Sequence, residues 1–178
     1  MKNSNTNPKL AFSGMMTAVS AVLALMMNFL PFNTIFLLII MSLLISIVTQ
    51  KAGVVYAFCT AAATSLIMLL LTWQYAVVAE YVLMFGTYPV IKYIIESKIN
   101  NVKTERTVKT LYFAFASVLF MLAAVYIFGG AEFWGEWFSK SVVIPYLLIV
   151  VMVLAAWVFD IVLTQIIYVY NRMFGRRF

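Results

Sequence analysis

Two carboxylic acids stand inside long apolar runs, where a charged side chain is hard to accommodate. Asp160 lies near the middle of the run at 142–169, and Glu80 lies about one helical turn inside the start of the run at 76–95. A charge at the centre of a bilayer costs roughly 2.5–3.5 kcal/mol on insertion scales, so such residues usually face a partner or a water-filled cavity. Both acids are therefore candidates for ligand binding or for helix association.

Aromatic residues surround Glu80 in the sequence. Tyr81 follows it directly, Tyr88 lies about two turns further along, and Trp73 precedes the run. A carboxylate among aromatic rings at one end of a helix bundle would suit a pocket for an aromatic or cationic small molecule. A glutamate that reaches up to water is the other interpretation, because Glu80 lies close to the end of its run.

A third acidic and aromatic group occurs in the stretch GGAEFWGEWF at 129–138. At about 100° per residue, its two tryptophans share one side of a helix and its two glutamates share the opposite side. The stretch is either an interfacial helix with its tryptophans at headgroup level or a lid over an outward-facing pocket. In the second case the predicted pocket also contains Glu132, Trp134, Trp137 and Tyr146.

Asp160 belongs to a polar stripe on the last apolar run. Trp157, Asp160 and Thr164 fall on one side of a helix, and Tyr146 lies in the same sector. The stripe is either a polar seam that holds this helix to its neighbours or one wall of a solute cavity. A channel or ion-coupled carrier with Asp160 on the conduction path is a third possibility.

The composition argues against enzyme chemistry. The 178 residues contain no histidine and one cysteine, Cys59. No phosphate-binding loop, zinc-protease motif or nucleophile triad is present. We therefore expect no catalytic residues, no metal site and no cofactor.

The apolar runs predict the fold class. Hydrophobic residues make up 65% of the chain and charged residues 10%. About 20 apolar residues are needed to cross a bilayer, and the chain has six such runs, at about 10–30, 33–49, 53–72, 76–95, 110–128 and 142–169. We predict an all-α, polytopic integral membrane protein in which residues 1–178 form a single six-helix transmembrane domain.

The distribution of Lys and Arg predicts the orientation. With the N-terminus inside, eleven of the 12 basic residues lie on the inner side and only Lys140 lies outside. Both termini are therefore predicted to be cytoplasmic. The net charge of +6 reflects a basic rim facing anionic lipid, and it gives no reason to expect a nucleic-acid partner. The segment at 96–110 is predicted to be a solvated inner loop.

Small residues recur every three or four positions in the first and third runs. Such faces allow helices to approach closely, either inside the bundle or against a separate membrane subunit. The third run has Gly53, Ala57, Ala61 and Thr64. The candidate partner-binding face of the first run consists of Ala11, Gly14, Ala18 and Ala21.

Taken over its whole length, the chain resembles the substrate-binding S components of energy-coupling factor (ECF) vitamin transporters. The resemblance lies in the size, the six runs, the small-residue face in AFSGMMTAVSA and the turn TQKAGVVYA. The segment AEYVLMFGTYPV is similar to the Glu-Tyr pair of thiamine-binding members, and EFWGEWF is similar to their aromatic stretch. The likeness to those members is partial, because this chain lacks the histidine that they place near helix 5.

The resemblance implies a binding subunit in the bacterial cell (inner) membrane. Such a subunit captures a vitamin or related micronutrient, thiamine-like compounds included, at the outer face. A separate transmembrane coupling subunit with two ATPase subunits then drives its release inside. The alternative is a non-transport membrane scaffold or accessory subunit, which would use the small faces and the polar stripe only for assembly and would bind no ligand.

Overall fold

The computed structural model describes residues 6–30, 33–72, 74–99, 101–127 and 143–174, with the side chains at 6–7, 143–145 and 173–174 left out. Every regular element in these ranges is helical. In chain order they are α1 (Thr6–Phe29), α2 (Thr34–Lys51), α3 (Val54–Leu71), α4 (Tyr75–Glu80), a π-helical segment (Tyr81–Gly86), α5 (Tyr88–Lys98), α6 (Val102–Tyr126) and α7 (Val143–Phe174).

Six helices among the described residues are long and apolar enough to cross a membrane, with α4, the π-helical segment and α5 counted as one. The candidate spans are Pro8–Phe29, Thr34–Lys51, Val54–Leu71, Tyr75–Lys98, Val102–Tyr126 and Tyr146–Arg172. The prediction of six apolar helices is confirmed, because the runs of about 20 residues coincide with helices. The inward placement of both termini stays a prediction.

Gly53 makes the tight turn between α2 and α3. The amides of Ala52 and Gly53 both donate to the Val48 carbonyl, at 2.8 and 3.2 Å. Gly53 then takes a φ of 106°, a region that a residue with a Cβ rarely adopts. This one conformation lets α3 start directly after α2 ends.

The fourth span changes from α- to π-helical geometry at Tyr81. Pro89 lies in the first turn of α5, where the missing amide proton does no harm. Its ring would crowd the carbonyl four residues earlier in a regular α-helix, and the wider π turn ends just before it. The Thr87 hydroxyl donates to the carbonyls of Val82 and Leu83, at 2.9 and 3.3 Å, and so satisfies acceptors at the end of the turn.

The predicted solvated loop at 96–110 is wrong. Only residues 99–101 separate α5 from α6, because Asn101 caps α6 by accepting a hydrogen bond from the Lys103 amide at 3.1 Å. Lys109, taken as a loop charge in the sequence prediction, is a buried residue of α6. Lys92, counted as a charge on the inner side, is likewise buried, within α5. Each lysine has a carboxylate neighbour on the next or preceding turn of its own helix.

The chain divides into two compact units, Met1–Lys98 and Ile99–Phe178. In the N-terminal unit, α1, α2 and α3 pack against one another, the π-helical segment packs on α2 and α3, and α5 packs on α2. The Asn28 side-chain amide donates to the Leu71 carbonyl at 2.9 Å and ties the end of α1 to the end of α3. We call this end of the unit the Asn28 end.

In the part of the C-terminal unit that the structure describes, two helices, α6 and α7, pack on each other. The buried residues of α6 recur at helical spacing, and the same is true of the fewer buried residues on α7. They are Phe113, Ala116, Phe120 and Ala124 on α6, and Ala156, Phe159 and Leu163 on α7.

The orientation can be tested by cysteine labelling in intact cells. The Lys/Arg bias predicts that a membrane-impermeant thiol reagent modifies Ser139→Cys but not Ser4→Cys, because only position 139 is predicted to face outward. A Cys59→Ala background is needed, since Cys59 has an exposed side chain on α3. Modification of Ser4→Cys in unbroken cells would overturn the topology.

Candidate ligand-binding site

Glu80 differs from the other acidic residues that the structure describes. Glu96 lies 2.9 Å from the Lys92 ammonium, and Glu105 and Asp160 lie 2.6 and 3.6 Å from the Lys109 ammonium. Glu80 is half-buried at the end of α4, and no described residue forms an ion pair or hydrogen bond with it. A carboxylate placed near the end of an apolar helix without a partner is available to a ligand.

Tyr81 and Tyr88, the two tyrosines of the predicted pocket, lie inside the N-terminal unit. Both are 0% exposed, whereas Glu80 remains half-buried. The π turn shifts the angular position of every residue after Glu80, so regular α-helical spacing does not give the direction of either tyrosine relative to Glu80. The sequence prediction placed both tyrosines in one pocket with Glu80; the structure shows that they are buried, and the shared pocket stays a prediction.

Gly86 leaves room for the Tyr81 ring because it has no side chain. A Cβ placed on Gly86 would lie 3.1 Å from the Tyr81 carbonyl oxygen and 3.2–3.3 Å from two ring atoms. These distances are tighter than ordinary contacts, so the ring occupies the volume that a side chain at 86 would need. The glycine of the π-helical segment thus fixes the position of the tyrosine five residues earlier.

Among the described residues of the N-terminal unit, five buried hydroxyl groups have no hydrogen-bond partner. They belong to Ser20, Ser42, Ser46, Thr64 and Tyr81. The Tyr81 phenol is a neighbour of the Thr64 hydroxyl, but the two do not reach hydrogen-bonding geometry. Sequence reasoning missed the serines and included Thr64 only as a small packing residue. The sequence signal that could have found these hydroxyls is depth, since four of the five residues lie at similar distances from the ends of their runs.

The two small-residue faces have different roles in the structure. Ala57, Ala61 and Thr64 of α3 are buried, which agrees with packing inside the bundle. Ala11, Gly14 and Ala18 of α1 are exposed, and Ala21 is half-buried. A Cβ on Gly14 would meet no atom within 4 Å.

The inward face of α1 is a different one, because its buried residues are Ser13, Ser20, Ala24 and Met27. The candidate partner face of α1 is therefore not used for packing within the N-terminal unit.

The polar stripe of α7 makes contacts with α6. The Trp157 indole donates to the Thr110 hydroxyl at 3.1 Å, and Asp160 pairs with Lys109. The Thr164 hydroxyl donates to the backbone carbonyl of Asp160 at 2.7 Å. Two of the three stripe residues thus join α6 to α7, which favours the polar seam over a cavity wall or conduction path.

The remaining predicted pocket residues cannot be placed together. Trp73, Glu132, Trp134 and Trp137 lie outside the described residues, so the choice between lid and interfacial helix stays open. Tyr146 has an exposed side chain near the start of α7.

Comparison of the chain with protein-family models, with curated proteins and with solved structures gave no match.

Proposed function

We propose that this protein is the membrane-embedded, high-affinity substrate-binding subunit of an ECF-type ABC importer in a bacterial cell membrane. It captures a vitamin or related micronutrient, thiamine-like compounds included, at its outer face. The observation that carries the proposal is the Glu80 carboxylate next to the buried Tyr81: it forms no ion pair with any described residue, whereas the other described acids all pair with lysine. An ion-pairing or hydrogen-bonding ligand would supply the missing partner.

The position of Glu80 agrees with capture from outside. Glu80 lies in the span that begins at the Asn28 end of the N-terminal unit, and the Lys/Arg bias predicts that this end faces outward. A cation or a hydrogen-bond donor on the ligand would reach the carboxylate without crossing the apolar core. Aromatic stacking by the predicted lid residues would then add contact area.

The proposed importer needs further subunits for energy coupling. A transmembrane coupling subunit and two ATPase subunits would perform that step, and the exposed face of Ala11, Gly14 and Ala18 on α1 is the proposed docking surface. Small side chains allow a partner helix to approach closely in lipid. The open space at Gly14 supports a contact of this kind.

Replacing Gly14 and Ala18 together with leucine tests this docking surface. Both positions are exposed, and Gly14 has no neighbour to clash with, so we expect the isolated variant to fold and bind ligand like the parent. Uptake by cells and co-purification of the coupling subunit should be lost, because leucine side chains hold the partner helix away. The matched control is Val19→Leu, on an exposed α1 position about 80° around the helix from Ala11, the nearest residue of the face, which should behave like the parent.

Loss of folding in the Gly14→Leu, Ala18→Leu variant would assign the face to internal packing and contradict the docking role.

A scaffold or accessory subunit is the second candidate function. The contacts of Asp160 and Trp157 with α6 favour the scaffold, because they use these polar groups to join helices and not to line a cavity. That candidate predicts no ligand and does not explain why Glu80 has no ion-pair partner among the described residues.

A further inference from the structure

The orphan hydroxyls of the N-terminal unit differ from its other hydroxyls. Elsewhere in the unit, serine and threonine side chains donate to backbone carbonyls of the preceding turn, as Ser13, Thr49 and Thr60 do at 2.8–2.9 Å. Such back-bonding satisfies a hydroxyl within its own helix. Ser20, Ser42, Ser46 and Thr64 have the same option but make no such bond, although they are buried.

The orphan hydroxyls also share a depth. Ser20, Ser42, Thr64 and Tyr81 each lie six to nine residues, or roughly 9–14 Å, from the Asn28 end of their spans. Ser46 lies one turn deeper than Ser42 on the same face of α2. The elements that carry them pack on one another, since α1, α2 and α3 are in mutual contact and the π-helical segment packs on α2 and α3. We call these five residues the hydroxyl layer.

The hydroxyl layer destabilises the protein if its hydroxyl groups stay without hydrogen-bond partners. In an apolar interior no bulk water is present to satisfy a hydroxyl, and each unpaired group destabilises the protein. Buried hydroxyls without a partner are few in natural interiors, and each of them calls for an explanation such as strain, a functional role or a bound water or ion. The π-helical segment and Gly86, which together hold Tyr81 in the layer, are further departures from a regular helix, and π turns occur frequently at functional sites.

We infer that the hydroxyl layer is a binding subsite for an uncharged, hydrogen-bonding part of the ligand, such as an alcohol, an amide or a ring nitrogen. All five members are neutral, so they can exchange hydrogen bonds with a neutral polar group but cannot compensate a buried charge. Any cationic part of the same molecule would remain at Glu80, which directly precedes Tyr81. The inference rests on the proposed function and narrows its substrate class.

Single hydroxyl deletions in the full chain, reconstituted in lipid nanodiscs, test the subsite. Without ligand, Ser42→Ala and Thr64→Val should unfold at the parental temperature or above it, because each removes an unsatisfied group. Thr49→Val is the matched control: its buried hydroxyl donates to the Ile45 carbonyl at 2.8 Å, so this variant should unfold at a lower temperature.

Binding is measured by calorimetry with thiamine, riboflavin and pyridoxine, each titrated alone. For a probe that the parent binds, Ser42→Ala and Thr64→Val should each weaken binding about 2- to 10-fold, the effect of losing one neutral hydrogen bond. Ser117→Ala, which removes a buried orphan hydroxyl of α6 in the other unit, should bind that probe like the parent.

The two possible failures are distinguishable. If the parent binds a probe and the layer variants bind it with parental affinity, the subsite is refuted while the proposed function stands. The subsite is also refuted if Ser42→Ala and Thr64→Val lower the unfolding temperature as much as Thr49→Val, because their hydroxyls then have partners inside the protein. If the parent binds none of the three probes and native mass spectrometry finds no small-molecule adduct on it, the proposed function is contradicted and the subsite falls with it.

Discussion

Glu80→Gln should weaken binding of the native ligand by roughly 1.5–3 kcal/mol, or about 10- to 150-fold, when measured by calorimetry. The substitution keeps the size of the side chain and removes only its charge, so it deletes a charge-assisted hydrogen bond to the ligand. Stability should change little, because no described residue forms an ion pair with Glu80. A loss of affinity without a loss of stability separates a binding role from a structural one.

Tyr75→Phe is the matched control for Glu80→Gln. Tyr75 is exposed in the same short helix, α4, and loss of its hydroxyl should leave the affinity at the parental value.

Trp134→Ala distinguishes the lid from the interfacial helix, since only a lid would lose stacking area on the ligand. Parental affinity in both Glu80→Gln and Trp134→Ala would mean that the predicted pocket is not the binding site.

The second large effect is expected at Lys109. Its ammonium lies between Glu105, on the preceding turn of α6, and Asp160 of α7. Lys109→Met removes the ammonium that both carboxylates contact and deprives Asp160 of this ion pair. Removing one partner of a buried ion pair typically destabilises a protein by about 3–5 kcal/mol. We expect a loss of this size in the free energy of unfolding, measured by denaturant titration in detergent micelles.

Two comparisons make the Lys109 prediction specific. Lys103→Met changes an exposed lysine on the same helix and should have almost no effect. Adding Asp160→Leu to Lys109→Met should restore most of the lost stability, because replacing both partners of a buried pair with apolar residues is often neutral or stabilising. If Lys109→Met is as stable as Lys103→Met, the ion pair does not join α6 to α7.

Hydropathy was sufficient to predict the number and approximate bounds of the apolar helices. It failed at 96–110 because a lysine and a glutamate one turn apart neutralise each other inside a helix, as Lys109 and Glu105 do. The cap at Asn101 was a readable signal for the start of α6. Charge content alone therefore underestimated the length of the helix.

The candidate site was only partly predictable. Glu80 stood out because a carboxylate in an apolar run is rare, and the tyrosines followed from their proximity in sequence. The direction of Tyr81 depends on the π-helical segment, which regular helical spacing cannot reveal. The partner of Asp160 depends on how α6 and α7 pack, and a helical wheel drawn for α7 alone contains no information about that neighbour.

Native mass spectrometry of the gently purified protein tests the central claim, that this chain binds a small molecule, most directly. Because no described residue pairs with the Glu80 carboxylate, we expect a non-covalent adduct in the mass range of a vitamin, present on the parent and reduced on Glu80→Gln. A Tyr75→Phe sample prepared in parallel should retain the adduct. A parent spectrum that contains only protein and lipid masses, at an ion energy that preserves bound lipid, would contradict the claim and favour the scaffold.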